Sequence, residues 1–559
     1  MKDYAPQHTH PPQPLADLQL SHNEGRPPTG PLGGSVSSRV VARYPDLSTL
    51  GDTLAARLSV SPDRLLVTAG GDDALLRVCL ATLGHGGEAL IAEPTFEMIP
   101  RYVRMAGGTL RSIDWPEGAF PTDDFLAAIR PNTRIVFLVS PNNPTGAVAS
   151  HDDLERIALA LPETLLVLDA AYAEYADEDL TAAALQHDNV VVVRTLSKAW
   201  GLAGLRVGYA LGSPEWIERL RAAGNPYPVS IASAAIALER LSTGEGDMRE
   251  SVRVTREQSR MLIAALDKIG VRCSAPSQAN FVLLRGINAA WVQAAMESLG
   301  IAIRRFPDNP SLTDAIRVSM PGTPQAFARL LAALHTVLSP QALLFDLDGV
   351  LADVSGSYRV AIQQTAASLG LVLSTADIER AKAQPGANDD WVVTHRLLAE
   401  RGVEVSLAEV TSRFEGLYQG IEGKQGLKDR EVPCAPTALL TAWAKRYSLA
   451  VVTGRPRADA LEFLRRYQLQ DLFKAIVCRE DTTLKPSPDP VLLALKLLSC
   501  ERAWMLGDTP DDLVAARTAG VVPIGVIPPG GNEENAARAL SANGAAHILR
   551  QTADLKELL

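Results

Sequence analysis

From about residue 64 to 211, short apolar runs alternate with stretches of helical character. The runs are Leu65-Val67, Leu90-Ala92, Ile135-Val139, Leu165-Leu168, Val190-Val193 and Val207-Leu211. Each is too uniformly apolar to present a wet face. Strands buried on both faces carry this pattern, so the region predicts a mostly parallel sheet covered by helices. Ligands of such sheets sit beyond the carboxyl ends of the strands, and the polar motifs of this chain follow directly after those runs. Further on, "PQAFARLLAALHTVL" places Phe327, Leu330, Leu331, Leu334, Val337 and Leu338 on one helical face and ends at Ser339-Pro340. A new apolar run begins at about Leu343. The joint is so short that it predicts two halves packed in a fixed orientation. That run, Leu343-Leu344-Phe345, leads straight into two carboxylates one residue apart, Asp346 and Asp348.

At 559 residues the chain is too long for one core, and domain sizes set an expectation of roughly three to four compact units. A hydrophobic content of 47% with 21% charged residues predicts a soluble globular protein. The net charge of -10 and the absence of a Lys/Arg run argue against nucleic acid or an anionic membrane as partner. No apolar run reaches the roughly 18 residues of a membrane helix. The start, "MKDYAPQHTHPPQPLADLQL", lacks the apolar core of a signal peptide and reads as an arm, with His8 and His10 solvated. Five scattered cysteines without a C-x-x-C pair predict neither disulfides nor zinc, and a reducing cytoplasm as the setting.

The motif "RTLSKAWGLAGLRVGY" follows the run Val190-Val193, with "SPNNPTG" and "LDAAYAEY" upstream. Singly, each has a commonplace reading: a surface lysine in a turn, a proline turn, an aspartate capping a helix. The joint occurrence of Asn143, Asp169, Tyr172, Lys198 and Arg206 outweighs those readings. Together these motifs resemble the pyridoxal-phosphate aminotransferases of fold type I, of the histidinol-phosphate aminotransferase kind, over roughly residues 18–338. The resemblance implies a large α/β domain plus a small α+β domain. It implies that Lys198 carries the cofactor and serves as the base at the substrate Cα. Asp169 would keep the pyridine nitrogen protonated, and Asn143 and Tyr172 would meet the ring hydroxyl. Gly70, Gly71 and Asp72 of "TAGGDDALLRV" would hold the cofactor phosphate at a helix start with Thr195, Ser197 and Arg206. Phe96 would stack on the ring. Arg317 of "DAIRVSMPGTP", with Arg304 second, would grip an anionic substrate end, carboxylate or phosphate. Tyr44 of "RYPDLS" would reach the cofactor phosphate of a second subunit, implying a homodimer. The arm departs from the family pattern at "SHNEGRPPTG", where Asn23 keeps part of a substrate-closing segment.

The second half carries "FDLDGVL", "VVTGRP", "TLKPSPDP" and "MLGDTPDDLVAARTAG" in order. This set resembles the haloacid-dehalogenase superfamily, in the subgroup of phosphoglycolate-phosphatase-like enzymes. The resemblance implies that Asp346 attacks phosphorus and Asp348 serves as general acid and base. Thr453 and Lys485 would clamp the transferring oxygens. Asp346, Asp508 and the main-chain carbonyl of Asp348 would hold Mg2+, with Asp512 in support. An Ala-, Leu- and Glu-rich insertion stands where this subgroup carries a helical cap, which favours a small phosphomonoester. The superfamily's phosphatases for histidinol phosphate lack such a cap and carry a cysteine-rich metal loop, which this sequence does not. The expected organisation is an arm (1–45), a cofactor-binding large domain (46–225), a small domain (226–338), a hydrolase core (342–355 and 435–559) and a cap (356–434). The expected function is bifunctional, transamination and phosphate removal on one small metabolite. Two alternatives stand beside it: decarboxylation of a phospho-amino acid, and an aminotransferase with a phospholigand-sensing module.

Overall fold

The computed structural model describes residues 16–29, 32–33, 38–274, 276–382, 389–420 and 425–559. His8, His10 and the first part of the expected arm lie outside the described residues. The chain divides into two compact units. One contains Gln19–Ala289 and Ile303–Arg329; the other contains Ala290–Ala302 and Leu330–Leu559, together with the described residues up to Leu18. Among the described residues no helix is long and apolar enough to cross a membrane.

The first unit is built on a seven-stranded sheet. Its strands are β1 (Leu65–Thr68), β2 (Glu88–Glu93), β3 (Thr109–Asp114), β4 (Thr133–Val139), β5 (Leu165–Asp169), β6 (Val190–Thr195) and β7 (Gly208–Leu211). The order across the sheet is β1-β7-β6-β5-β4-β2-β3. All pairs are parallel except those of β7, which runs antiparallel to β1 and β6. The uniform apolarity of the central strands has the expected cause. Leu90, Val136, Leu166 and Val192 enter one core, whereas Ile91, Phe137, Val167 and Val191 enter another. Strand β3 has no apolar run because it lies at the sheet edge with partly exposed residues throughout.

Helix α1 (Gly70–Leu83) starts right after β1. Gly70 has φ +81°, and a Cβ there would stand 2.8 Å from Arg206 Nη2. A Cβ on Gly208 would stand 2.4 Å from the Gly70 carbonyl carbon. This helix start therefore requires glycine for both conformation and clearance. A four-stranded antiparallel sheet completes the unit: β8 (Arg272–Cys273), β9 (Phe281–Arg285), β10 (Arg304–Arg305) and β11 (Ile316–Ser319), in the order β10-β11-β9-β8. Arg317 pairs with Leu283 on one side and Arg304 on the other, which sets both arginines at one register position.

The other unit is built on a six-stranded parallel sheet. Its strands are β12 (Ala342–Phe345), β13 (Ser448–Val452), β14 (Phe473–Val477), β15 (Ala503–Gly507), β16 (Val522–Val526) and β17 (His547–Leu549). The order is β14-β13-β12-β15-β16-β17, so β12 is central and delivers Asp346 to the carboxyl edge. Helix α2 (Pro324–Leu338) precedes β12 over the residues that the apolar periodicity predicts. Its Thr336 carbonyl accepts a hydrogen bond from Trp504 Nε1 at 2.8 Å, and Trp504 meets Trp291 edge to face at 4.8 Å. The insertion is helical, with α3 (Tyr358–Ser368), α4 (Thr375–Lys382), α5 (Asp390–Ala399) and α6 (Leu407–Gln419). It has its own core, which includes Ile362, Val393, Leu398, Val410 and Phe414. An antiparallel ribbon of Ala352–Asp353 and Val432–Pro433 carries the chain into it and back.

Candidate active sites

Lys198 follows β6 in a turn between small residues. Its Nζ donates to the main-chain carbonyl of Asn23 at 3.1 Å and lies 5.6 Å from the Tyr172 ring centroid. Asn23 is buried at φ 54°, a left-handed conformation that asparagine tolerates. Its Nδ2 donates to Tyr172 Oη at 3.1 Å, and its Oδ1 accepts from Ser319 Oγ at 2.7 Å. Asn280 Nδ2 also donates to the Asn23 carbonyl, at 3.2 Å.

Asp169 ends β5 and is buried. The Ala171 amide donates to its Oδ1 at 3.1 Å. Burial pushes its pKa up to about 7, with Asp72 adding to the rise and the nearby Lys198 charge opposing it. Asp72 accepts from Arg206 Nη2 at 3.0 Å and from Tyr102 Oη at 3.2 Å. Thr195 Oγ1 donates to Ser197 Oγ at 2.9 Å, beside the same helix start. Phe96 is partly buried against the core of Ile91 and Ile99. Arg317 Nη1 donates to Asn143 Oδ1 at 2.5 Å and Nη2 to the Ser21 carbonyl at 2.8 Å. Its Nε is buried without a hydrogen-bond partner among the described residues, and burial lowers its pKa to about 10. Arg304 Nη2 instead donates to both carboxylate oxygens of Glu97, at 2.9 and 3.0 Å. Tyr44 stands outside this constellation: it is 79% exposed and stacks on Tyr227 at 4.4 Å.

These residues fit pyridoxal phosphate. A buried carboxylate with so little support calls for a cation, which a protonated pyridine nitrogen provides. The glycine-lined start of α1, with Arg206 and two hydroxyls, offers the donors that a phosphate needs. Sequence reasoning missed Asn280, Ser319 and Glu97. The only local sign of Asn280 is its polar side chain at the entrance to the apolar run Phe281–Leu284.

In the second unit, Asp346 follows β12, Asp508 follows β15, and Asp512 lies in the first turn of α7 (Pro510–Thr518). Thr509 and Asp512 form a reciprocal capping box there, which fixes Asp512. Carboxylate oxygens of Asp346, Asp508 and Asp512 lie within 4.8 Å of one another. Lys485 Nζ donates to Asp346 Oδ1 at 2.7 Å and to the Val452 carbonyl at 3.0 Å, and it also pairs with Asp512. Burial pushes Asp346 up to about 7, against the pull of Lys485. Burial, then Asp512 and Asp346, push Asp508 well above the usual carboxylate range. Asp508 Oδ1 is buried with no hydrogen-bond partner among the described residues. Crowded carboxylates with an orphaned oxygen fit a hard divalent cation. Gly349, at φ +72°, leaves room for this: a Cβ there would stand 2.3 Å from Asp508 Oδ2.

Thr453 is buried after β13 and accepts from the Arg455 amide at 3.2 Å. The Asp348 side chain is not part of the three-carboxylate group; its Oδ1 accepts from Arg455 Nε. Arg455, Glu431 and Tyr418 escaped the sequence reading. Arg455 stands in the quoted motif, but its partners Glu431 and Tyr418 come from the insertion, whose sequence gives no sign of them.

Residues 35–334, more than half of the chain, match the family described as aminotransferase class I and II. The chain belongs to this family. Residues 343–526 of this aminotransferase match the haloacid dehalogenase-like hydrolases. One polypeptide thus carries a pyridoxal-phosphate aminotransferase part and a haloacid dehalogenase-like hydrolase part. It is 34% identical to a histidinol-phosphate aminotransferase of Caldanaerobacter subterraneus over 312 residues, 55% of this chain and 88% of the relative. It is 45% identical to an imidazoleglycerol-phosphate dehydratase of Phytophthora nicotianae over 197 residues, 34% of this chain. There it spans less than half of the relative, 44%. Among solved structures it resembles histidinol-phosphate aminotransferase from Sinorhizobium meliloti in complex with pyridoxal-5'-phosphate, with 26% identity and a TM-score of 0.52. That match covers 57% of this chain and 90% of the other.

Proposed function

We propose that this aminotransferase exchanges an amine and a keto group on a small phosphorylated metabolite, and that its hydrolase part then releases the phosphate. The observation that supports this most is Arg317, a buried guanidinium that, among the described residues, is hydrogen-bonded to neutral oxygens and left with an unpartnered Nε. Such a group favours an anionic substrate end. A phosphate in that position is the group that the second unit is built to remove. The names of the Caldanaerobacter and Phytophthora relatives also point to phosphate esters.

In the first site Lys198 moves the proton at the substrate Cα. Arg317 and Asn143 orient the substrate, and Asp169 holds the proton on the cofactor's ring nitrogen. Asn23 and Tyr172 hold the amine of Lys198 in place. When bound, pyridoxal phosphate supplies the electron sink for the reaction.

In the second site a carboxylate oxygen of Asp346 attacks phosphorus as the bond to the leaving oxygen breaks. Asp348 gives its proton to that oxygen. Water then attacks the phosphorus of the acyl phosphate, returns a proton to Asp348 and frees Asp346. Lys485 and Thr453 steady the transferring oxygens. Asp346, Asp508 and the Asp348 carbonyl, supported by Asp512, would hold Mg2+, which when bound would supply positive charge against that of the incoming phosphate.

The reading includes a homodimer in which Tyr44 of one protomer completes its partner's cofactor site. It also includes a cytoplasmic setting, which suits five free cysteines.

Two substitutions test the assignment. Lys198→Ala should remove the visible absorbance of the bound cofactor and all transamination, while phosphate release continues. Asp346→Asn should do the reverse. Loss of both activities in either folded variant would refute two independent sites. A panel of phosphorylated amines should convert the cofactor spectrum to the pyridoxamine form at lower concentration than their dephosphorylated counterparts. Equal response to both would remove the phosphorylated substrate, and carbon dioxide release without an amino acceptor would indicate decarboxylation.

A further inference from the structure

Arg455 lies two residues beyond Thr453, and its side chain is 1% exposed. Groups from two parts of the hydrolase unit converge on its guanidinium. From the core, Asp348 Oδ1 accepts from Nε at 2.5 Å. From the insertion and its return strand, Glu431 Oε2 accepts from Nη1 at 2.9 Å and Tyr418 Oη from the same nitrogen at 3.2 Å. The Tyr358 ring centroid lies 4.9 Å from the guanidinium carbon. Glu431 is held in turn by the Ser357 hydroxyl at 2.7 Å and the Tyr418 hydroxyl at 3.2 Å. Ser357 stands just after the strand Ala352–Asp353 and Glu431 just before Val432–Pro433. The network therefore ties both crossings of the insertion to one buried arginine.

Asp348 is differently supported. Its side chain is 28% exposed, and Arg455 forms the ion pair that fixes its carboxylate. The orientation of Asp348 is thus set by an arginine whose other side-chain hydrogen-bond partners, Glu431 and Tyr418, belong to the insertion and its return strand. We infer that Arg455 is a positioning residue: through it, the seating of the insertion aims Asp348 at the leaving-group oxygen. This rests on the hydrolase reading given above. The step it serves moves one proton from the Asp348 carboxyl to the leaving oxygen, as the phosphorus–oxygen bond to that group breaks and the bond to Asp346 forms.

The leaving group makes the test specific. An alkoxide needs that proton, whereas 4-nitrophenolate leaves without it. A misaimed Asp348 should therefore slow an alkyl phosphate far more than 4-nitrophenyl phosphate. The turnover of propyl phosphate and of 4-nitrophenyl phosphate would be measured on the full chain and on Arg455→Gln, Arg455→Lys, Glu431→Gln and Tyr418→Phe. The ratio of alkyl to nitrophenyl turnover should fall at least tenfold in Arg455→Gln and Glu431→Gln, and less in Arg455→Lys. Tyr418→Phe keeps the ring and removes one hydroxyl; it should show a smaller fall in the same direction. If the arginine variants do not fold, Glu431→Gln and Tyr418→Phe read the same ratio. A parallel decline on both esters, or an unchanged ratio in folded variants, would overturn the inference. Absence of any ester hydrolysis by the unaltered protein would instead overturn the phosphatase reading, and this inference with it.

Discussion

The amine of Lys198 donates to the main-chain carbonyl of Asn23 at 3.1 Å, across 175 residues of chain. A segment near the start of the described chain thereby places the amine to which the proposed first reaction assigns the Cα proton. Its hold depends on the Asn23 side chain, which bridges Tyr172 and Ser319 from a left-handed backbone conformation. Asn23→Ala removes both bridges and puts alanine at φ 54°, which is unfavourable for a residue with a Cβ. Leaving two buried partners unmatched costs roughly 1–3 kcal/mol each. The expected outcome is a lower melting temperature and a transamination rate reduced about tenfold or more. Asn23→Gly relieves the backbone and should recover part of the stability but little of the rate. Thermal melts and turnover on the two variants decide this; a rate unchanged in Asn23→Ala would show that the carbonyl of residue 23 needs no side-chain anchor.

Asp169 gives the first site a pH signature. Its carboxyl is pushed up to about 7 from an ordinary 3.8, chiefly by burial. Between those values the folded protein holds a proton that the unfolded chain has released. Stability of the cofactor-free protein therefore falls as pH rises through this window and levels off above it. The whole effect is on the order of 4 kcal/mol at about 1.4 kcal/mol per unit. Asp169→Asn carries no such proton, so its stability should lack this part of the slope, and the difference between the two melting curves isolates the residue. A cationic ring nitrogen beside Asp169 relieves the buried charge. Added cofactor should accordingly raise the melting temperature more at pH 8 than at pH 5. Equal shifts at both pH values would separate Asp169 from the cofactor.

The second site should respond to a divalent cation. Asp346, Asp508 and Asp512 crowd their oxygens within 4.8 Å, and Asp508 leaves one oxygen unpartnered among the described residues. Magnesium at a hundredfold above its dissociation constant should stabilise the hydrolase transition by about 2.7 kcal/mol. Asp508→Asn should remove that response. It also relieves the repulsion among the acids, so its metal-free form should melt no lower than the unaltered protein. A chelator should stop phosphate release and leave transamination intact. Phosphate release that continues in excess chelator would rule out the metal.

Much of this was legible from residues alone, for a physical reason. The six apolar runs found by pattern all contribute strands of the large sheet, because residues such as Val136, Phe137 and Val191 are buried on both faces. Edge strand Thr109–Asp114 was not legible, since its half-wet faces give no continuous run. Asp169, Lys198, Asp346 and Asp508 all stand where a buried strand ends, so local pattern and chemistry coincide. Asn280, Glu97 and Glu431 have no such marker. Their importance comes from contacts across long stretches of chain, such as the 257 residues between Asn280 and Asn23. Tyr44 is the converse case: a motif resemblance assigns it to a cofactor site, while within the single chain it lies exposed against Tyr227.

In the proposed reaction Arg317 sets stability against function. Its guanidinium is buried, lies 5.3 Å from the Phe281 ring centroid and 5.7 Å from that of Phe306, and is met by the neutral oxygens of Asn143 and Ser21. Burial weakens its hold on its proton, lowering its pKa to about 10. A buried cation that no carboxylate meets among the described residues is costly to desolvate. Arg317→Met removes that cost but leaves the oxygens of Asn143 and Ser21 unmatched, so the two effects oppose and its melting temperature should change little when no substrate is present. Loss of a charged hydrogen-bonding group costs roughly 1.5–3 kcal/mol in anion binding, or about 10- to 150-fold. That loss should appear mainly as a raised KM for the anionic substrate, with a smaller change in kcat, because the group acts remote from the Cα proton. Arg317→Lys should recover only part of the affinity, since an ammonium cannot reproduce the two-pronged grip of the guanidinium. A variant that melts much lower, with KM unchanged, would make Arg317 a structural residue and leave the anionic end of the substrate to Arg304.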